Sequence, residues 1–239
     1  MPDEEPFGET LVCRRWPVKM PERRAQRPGW SYWEIERLSM MHAVIRPGDV
    51  VWEIGGEQGD TTVLFALWGA DVVIVEPDCA YWPNIRRIFR ANGVEGRYVG
   101  GVHAYVDREP SGEPEFAVGV WPSCVNGPTV GDRDSVMLSN DDGVPRVTLD
   151  QMLGYLPWPD VVTADIDGAE YQMLLGADRL LAEAKPILFV SVHPDHLWDQ
   201  HKDTPDDVWH HLELHGYDPE RLGRDHEIHL CATPKPPQP

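Results

Sequence analysis

Residues 50–60 read Val50-Val51-Trp52-Glu53-Ile54-Gly55-Gly56-Glu57-Gln58-Gly59-Asp60, and they decide the fold. Val50–Ile54 follows the Pro47-Gly48-Asp49 turn, is short and apolar, and runs into glycines, which predicts a buried strand. Residues 60–68 then predict a helix. The segment from Asp71 to Glu76 repeats the strand signal. Cys79 to Ala91 repeats the helix signal, with Arg86, Arg87 and Arg90 on its solvent side, and Gly100 to Val106 predicts a third strand. A β-α-β-α-β series implies a parallel sheet with helices on both faces.

The alternation breaks at residues 107–146, which are rich in Gly, Pro, Ser, Asn and Asp and hold two short apolar patches, Phe116–Trp121 and Ser135–Leu138. An inserted hairpin or loop is expected there. The pattern then resumes. Strands are expected at Val161–Ala164, Ile187–Val192 and Glu227–Ala232, and a strand region from Gly216-Tyr217. Helices are expected at Ala169–Ala184 and Asp206–His215. Before the first strand, Trp30, Trp33, Leu38, Met41, Val44 and Ile45 have helical spacing. The expected organisation is an extended proline-rich arm over residues 1–29, one domain over 30–232, and a flexible tail over 233–239.

Composition narrows the function. The chain has 239 residues, 41% hydrophobic and 26% charged, ordinary for a globular protein. Lys and Arg total 21 against 40 Asp and Glu, a net charge of −19. Such a surface repels a phosphate backbone, so a nucleic-acid partner is not expected. No apolar run suits a bilayer and the acidic MPDEEPFGET start is no signal peptide, so no membrane association is expected. The cysteines, Cys13, Cys79, Cys124 and Cys231, are scattered and form no CxxC pair. Neither a disulfide framework nor a structural zinc site is therefore expected, and a reduced, cytoplasmic setting fits.

The glycine loop bears on the cofactor. No register gives the G-x-G-x-x-G of a dinucleotide fold, and Glu57 would repel a pyrophosphate. The loop fits acidic-x-Gly-x-x-x-Gly instead, which resembles class I S-adenosylmethionine (SAM)-dependent methyltransferases. SAM carries an ammonium, a carboxylate and a sulfonium but no phosphate. Gly55 and Gly59 would let the backbone pass close to such a ligand, with Gly56 and Gln58 between them and Glu53 near its cationic end. Glu76, followed by Pro77, ends the second strand, where an acidic side chain can accept hydrogen bonds from ribose hydroxyls. The plain alternative is a tight strand-to-helix turn with a chance acidic residue.

The second half carries a closer resemblance. Val147-Thr148-Leu149-Asp150 precedes Ala164-Asp165-Ile166-Asp167-Gly168-Ala169-Glu170, then Leu174-Leu175-Gly176-Ala177, then the run Ile187–His193. This succession resembles the FkbM-type methyltransferase family over roughly residues 34–232. Asp167 stands where the family usually has Glu, Ser191 where it often has Glu, and Ala164-Asp165 replaces a common Lys-x-Asp context. The resemblance implies a Rossmann-like, doubly wound seven-stranded methyltransferase sheet, mostly parallel with an antiparallel last strand. It also implies SAM as cofactor and O-methylation of a hydroxyl on a sugar, glycan or small secondary metabolite. Oligomeric state stays open, a homo-oligomer included. The rival from another class is a non-catalytic scaffold on the same fold. A DNA amino-methyltransferase motif and an esterase G-x-S-x-G are absent from the sequence.

Ligands of open α/β sheets sit beyond the strands' carboxyl ends, where Asp165 and His193 end adjacent strands. Methyl transfer to a hydroxyl needs a base, and His193 is the candidate, with Asp165 to orient it or hold substrate. Asp165 serving only as a helix cap is the plain alternative. Mg²⁺ on Asp165, Asp167 and Glu170 is a second, less favoured reading. Tyr32, Trp33 and Glu34, with Trp30, suit a lid over SAM and substrate or a helix packed on the sheet. Trp121 is a second candidate substrate wall. His211 and His215, four apart on a predicted helix, have a spacing that can bind Zn²⁺, although a solvated face suits them better.

Overall fold

A computed structural model describes residues 5–127, 143–224 and 227–236. The chain opens with β1 (Phe7–Val12), β2 (Trp16–Pro21) and α1 (Glu22–Ala25), followed by α2 (Ile35–Val44). Then come β3 (Val50–Ile54), α3 (Asp60–Leu67), β4 (Asp71–Val75), α4 (Trp82–Ala91), β5 (Tyr98–His103), β6 (Tyr105–Val106) and β7 (Glu115–Val118). After β8 (Arg146–Val147) and α5 (Leu149–Met152) follow β9 (Val161–Asp165), α6 (Glu170–Leu175), a π-helical turn (Leu180–Ala184) and β10 (Ile187–Val192). The chain ends in α7 (Pro194–His201), α8 (Pro205–Leu214), β11 (Tyr217–Arg224) and β12 (Ile228–Pro234).

The main sheet has eight strands in the order β11-β12-β10-β9-β3-β4-β5-β7. Parallel pairing links β10, β9, β3, β4 and β5, while β12 runs antiparallel between β10 and β11. These seven strands match the expected sheet. The insertion adds an eighth, β7, antiparallel on the β5 edge. The Ser135–Leu138 patch lies outside the described residues.

The central strands are apolar on both faces, and their side chains alternate between two cores. Trp52, Ile54, Val73 and Val75 pack on one side with Met173, Leu174 and Leu212 from α6 and α8. Val51, Val72 and Ile74 pack on the other with Leu38, Met41, Leu64 and Ile88 from α2, α3 and α4. This period of two is what a doubly covered strand requires.

The expected extended arm is a hairpin with a share of the second core. Val12, Val18 and Met20 are fully buried, each worth about 1.5–3 kcal/mol of burial. Its alternation, Trp16, Val18 and Met20 inward, was hidden among prolines and charges. The helix expected over 30–46 starts only at Ile35, because Glu34 takes a left-handed φ of 44°. The helix expected from Cys79 starts at Trp82, with Pro83 in its first turn, so Cys79 stays in a loop. The expected tail begins late: Thr233 and Pro234 belong to β12 and pair with β11.

The helix expected over 169–184 is broken at Gly176, and the break explains two motifs. A Cβ on Gly176 would lie 2.6 Å from the Asp107 carbonyl oxygen. Thr148 caps α5 by accepting from Gln151 N–H at 3.0 Å. Asp150 accepts from the N–H groups of Arg179 and Leu180 at 2.9 and 2.8 Å, capping the next turn. The Thr-Leu-Asp and Leu-Gly-Ala segments are thus one interlocked set of helix ends.

Candidate active site

The carboxyl ends of β3, β4, β9 and β10 open on one edge of the sheet, and the loops beyond them enclose a cavity of about 870 Å³. The glycine loop forms one wall. Its Gly55 and Gly56 N–H groups donate to the Val75 carbonyl at 2.9 and 3.2 Å, which pins the loop to the end of β4. That brings Glu57 N–H to Glu76 Oε2 at 2.8 Å, while Asp78 N–H donates to Glu76 Oε1 at 2.7 Å. Glu76 is buried and held at both oxygens, facing the cavity it was expected to face.

The glycines act differently from expectation. Gly55 has φ 88°, and a Cβ there would lie 2.1 Å from the Asp165 carbonyl oxygen. Its bare Cα therefore lets the loop cross the end of β9. A Cβ on Gly56 would meet Ile74 Cγ2 at 2.6 Å. Gly59, at φ 86°, precedes α3, and a Cβ there would meet Ile85 of α4 at 3.3 Å. Gly55 and Gly56 line the cavity, whereas Gly59 does not. Gln58 is buried and lines the wall, with its Oε1 accepting from Asn84 Nδ2 at 3.1 Å.

Carboxyls dominate the interior. Burial pushes Glu53 and Glu76 up to about 8 and Glu57 up to about 7. Glu53 Oε2 is buried and makes no hydrogen bond of full geometry, with the Thr62 hydroxyl as its near neighbour. Behind the wall, buried Arg37 offsets the charge of Glu53, while Arg24, Arg27 and Arg146 line the cavity itself. Arg37 donates to Thr163 Oγ1 at 2.8 Å and Asp165 Oδ2 at 3.3 Å, and pairs with Glu34. Burial opposes its charge, but Glu34 and Asp165 outweigh that and raise its pKa. Arg37 was not among the expected site residues; its spacing of three from Glu34 was the one local sign.

Asp165, the last residue of β9, and His193, the residue just after β10, lie side by side, 3.6 Å apart from Oδ1 to Nε2. Glu170 lies beneath, fully buried, its Oε1 2.9 Å from His193 Nδ1 and accepting from Gly168 N–H at 3.0 Å. Glu227 Oε2 lies 3.1 Å from His193 Nε2, and Asp167 Oδ1 lies at 3.6 Å. Burial disfavours the imidazolium, but the Glu170 hydrogen bond and charge, then Asp165 and Glu227, raise His193 to about 9. These carboxyls favour the imidazolium over the free base expected of His193. Among the described residues, Asp165, Asp167 and Glu170 do not gather within ligating reach of one another, and Glu170 Oε1 serves His193 and Gly168 instead. Ser191, in a position where a Glu was noted as common, is buried against His229 Nδ1 at 3.2 Å, and Glu227 supplies a carboxyl from the next strand.

The segment before β3 closes the cavity from the outside. Trp30, Tyr32, Trp33 and Glu34 all line it. The packing role is seen: Trp30 meets Trp33 edge-on at 4.8 Å and joins the core, ahead of the helix rather than in it, while Tyr32 on the same stretch is 67% exposed. Arg24 of α1 is buried and pairs with Asp60 in the first turn of α3, clamping this segment to the glycine loop. Trp121 does not line this cavity. It stacks on Tyr98 at 3.8 Å and meets Phe89 edge-on at 5.8 Å, packing the insertion onto the sheet. On α8, His211 is buried and His215 is tied to Asp178 at 3.2 Å, away from the cavity lining.

A family model described as Methyltransferase FkbM domain matches residues 53–219. No curated protein matches the sequence. Among solved structures, the chain is similar to a methyltransferase FkbM from Methylobacillus flagellatus KT, at 15% identity and a TM-score of 0.53. The match covers 85% of this chain and 52% of that one. It is also similar to the T. thermophilus 16S rRNA N2 G1207 methyltransferase RsmC in complex with AdoMet and guanosine, at 12% identity and a TM-score of 0.55. There it covers 96% of this chain and 50% of that one. The chain thus spans about half the length of each, and the likeness bears on the fold.

Proposed function

Because the chain belongs to the FkbM methyltransferase domain family, we propose that it is a SAM-dependent O-methyltransferase acting on a hydroxyl of a sugar, glycan or small secondary metabolite. The single observation that carries this reading is the placement of Glu76 and Asp165 on one cavity, at the carboxyl ends of β4 and β9.

The residues present fit SAM. Each Glu76 oxygen accepts one backbone N–H and keeps a lone pair for a ribose hydroxyl. The buried, incompletely bonded Oε2 of Glu53 suits the cofactor's cationic end. When bound, SAM supplies an electrophilic methyl on a sulfonium. Trp30, Tyr32 and Trp33 line the cavity and would shield a bound cofactor from water.

The chain's own contribution to chemistry lies at Asp165 and His193. Arg37 holds Asp165 Oδ2, which leaves Oδ1 toward His193. In this reading Asp165 Oδ1 receives the acceptor's hydroxyl proton. His193, kept as the imidazolium by its ring of carboxyls, orients the acceptor oxygen and favours its developing negative charge. The acidic surface supports a small acceptor over a nucleic-acid chain, and the cysteine usage supports a cytoplasmic setting.

The test is calorimetric titration with SAM of the wild type and Glu76→Gln, followed by S-adenosylhomocysteine release across hydroxylated acceptors. Asp165→Asn should keep SAM binding and lose about 10²–10⁴-fold in turnover. A folded wild type that does not bind SAM would overturn the reading and leave a scaffold on a methyltransferase fold.

A further inference from the structure

Cys79, His103 and Cys124 are far apart in sequence, and their spacing gave no reason to expect a metal. The fold brings them together at the β5 corner of the sheet. Cys79 lies in the loop that follows Glu76, His103 is the last residue of β5, and Cys124 sits in a 3₁₀ turn, Ser123–Asn126, of the insertion. One ligating atom from each lies within 4.8 Å of the others. From this the geometry points to a site for a zinc-class divalent cation, held by the two thiolates and the imidazole, with a fourth position open to solvent.

Three features support a built site. First, the distances suit one ion. Bonds of about 2.3 Å to sulfur and 2.0–2.1 Å to nitrogen in a tetrahedron put such atoms roughly 3.5–3.8 Å apart; Cys79 Sγ lies 3.2 Å from His103 Nε2 and 3.8 Å from Nδ1, either side of that range. Second, His103 Nε2 lies 2.9 Å from the Pro77 carbonyl oxygen. The same nitrogen faces the Cys79 thiol at 3.2 Å, so a backbone contact holds the ring at the cluster, and metal loading would exchange that contact for the ion. Third, the Cys124 turn is actively folded back. Glu115, paired across from His103 in the sheet, accepts from Ser123 N–H at 2.9 Å and from its hydroxyl at 2.7 Å. Glu115 also adds negative charge beside both thiols.

Thiolate and imidazole donors select zinc and its neighbours over magnesium or calcium. As each metal–sulfur bond forms, the thiol's proton passes to solvent, so loading releases protons and weakens at low pH. The ion would tie the insertion to the loop three residues beyond Glu76. It therefore stabilises the edge of the cavity from outside and takes no part in the reaction proposed above.

The test uses tag-free, reduced, chelator-treated protein titrated with Co²⁺ and then Zn²⁺. The expected result is one equivalent of cobalt with a thiolate-to-metal charge-transfer band and intense tetrahedral d–d bands, both displaced by zinc. Zinc should also raise the melting temperature. Cys79→Ser, at an exposed position where the fold tolerates change, and Cys124→Ser should each lose the charge-transfer intensity and the thermal shift. Cys231→Ser on β12 should keep them. No charge-transfer band in the wild type, or a band equally strong in Cys79→Ser, overturns the proposal. So does a reduced protein that ignores cobalt and only forms a Cys79–Cys124 disulfide on oxidation.

Discussion

Glu227 Oε2 lies 3.1 Å from His193 Nε2, although 34 residues separate them in the chain. Strand register brings this about: Val192 of β10 pairs with Ile228 of β12, so the next step along both strands sets His193 beside Glu227. On the far side of the ring, Glu170 takes Nδ1 at 2.9 Å. Two nitrogens each facing a carboxyl make the imidazole hold its proton.

This predicts a pH profile. His193 is raised from 6.5 to about 9, so its stabilisation is complete below pH 6.5 and lost as pH climbs through 9. Glu227, raised by burial and then by the Asp165 charge to about 8, pushes the same way. Stability should therefore fall between about pH 6.5 and 9, by on the order of 3 kcal/mol at most from His193. His193→Gln should flatten that slope in chemical denaturation. An unchanged slope would show that His193 does not carry the proton.

The same charge state separates two roles in turnover. With Asp165 as proton acceptor and His193 as imidazolium, kcat declines above about pH 9. With His193 as the base, kcat would instead rise toward pH 9 and level off. A pH–rate series on the first identified acceptor decides between them.

Gly55→Ala should be costly. The added Cβ would meet the Asp165 carbonyl oxygen at 2.1 Å from a φ of 88°. Overpacking and left-handed strain together should cost about 2–4 kcal/mol. Denaturant titration would show it as a lower midpoint with an unchanged slope; a loss under 1 kcal/mol would mean the loop can shift away from β9.

Arg37→Met removes the one cation that bridges Glu34, Thr163 and Asp165. Breaking a buried pair from one side costs about 3–5 kcal/mol, and the freed Asp165 should lower kcat more than it raises KM. Restoring neither stability nor kcat with Arg37→Lys is expected, since an ammonium cannot span the three partners. Full rescue by lysine would argue that charge alone matters here.

Trp121→Ala should act on stability, by about 2 kcal/mol or more, through lost packing on Tyr98 and Phe89. Acceptor KM should stay as in the wild type. A raised KM at unchanged stability would return Trp121 to the substrate wall.

Much was legible along the chain. The central strands read as apolar runs because both their faces are covered, and the glycine loop, Glu53 and Glu76 sat at strand ends that local patterning could locate. Asp165, the last residue of β9, and His193, the residue just after β10, were found the same way. The hairpin at Phe7–Pro21 was missed because prolines and charges masked an alternation that tertiary burial makes decisive. Arg37 was missed because a lone arginine on a helix looks solvated until a strand end supplies its partners.

By itself the sequence determined the element order, the parallel sheet and the edge where chemistry gathers, since these follow from hydrophobic period and turn residues between near neighbours. Only the tertiary structure decided that Gly55 clears Asp165, that Glu227 joins His193, that Glu170 is a buried support and that Cys79, His103 and Cys124 meet. Those relationships link residues tens of positions apart. Strand register and helix packing set them, and burial then sets their charge, so no local pattern records them.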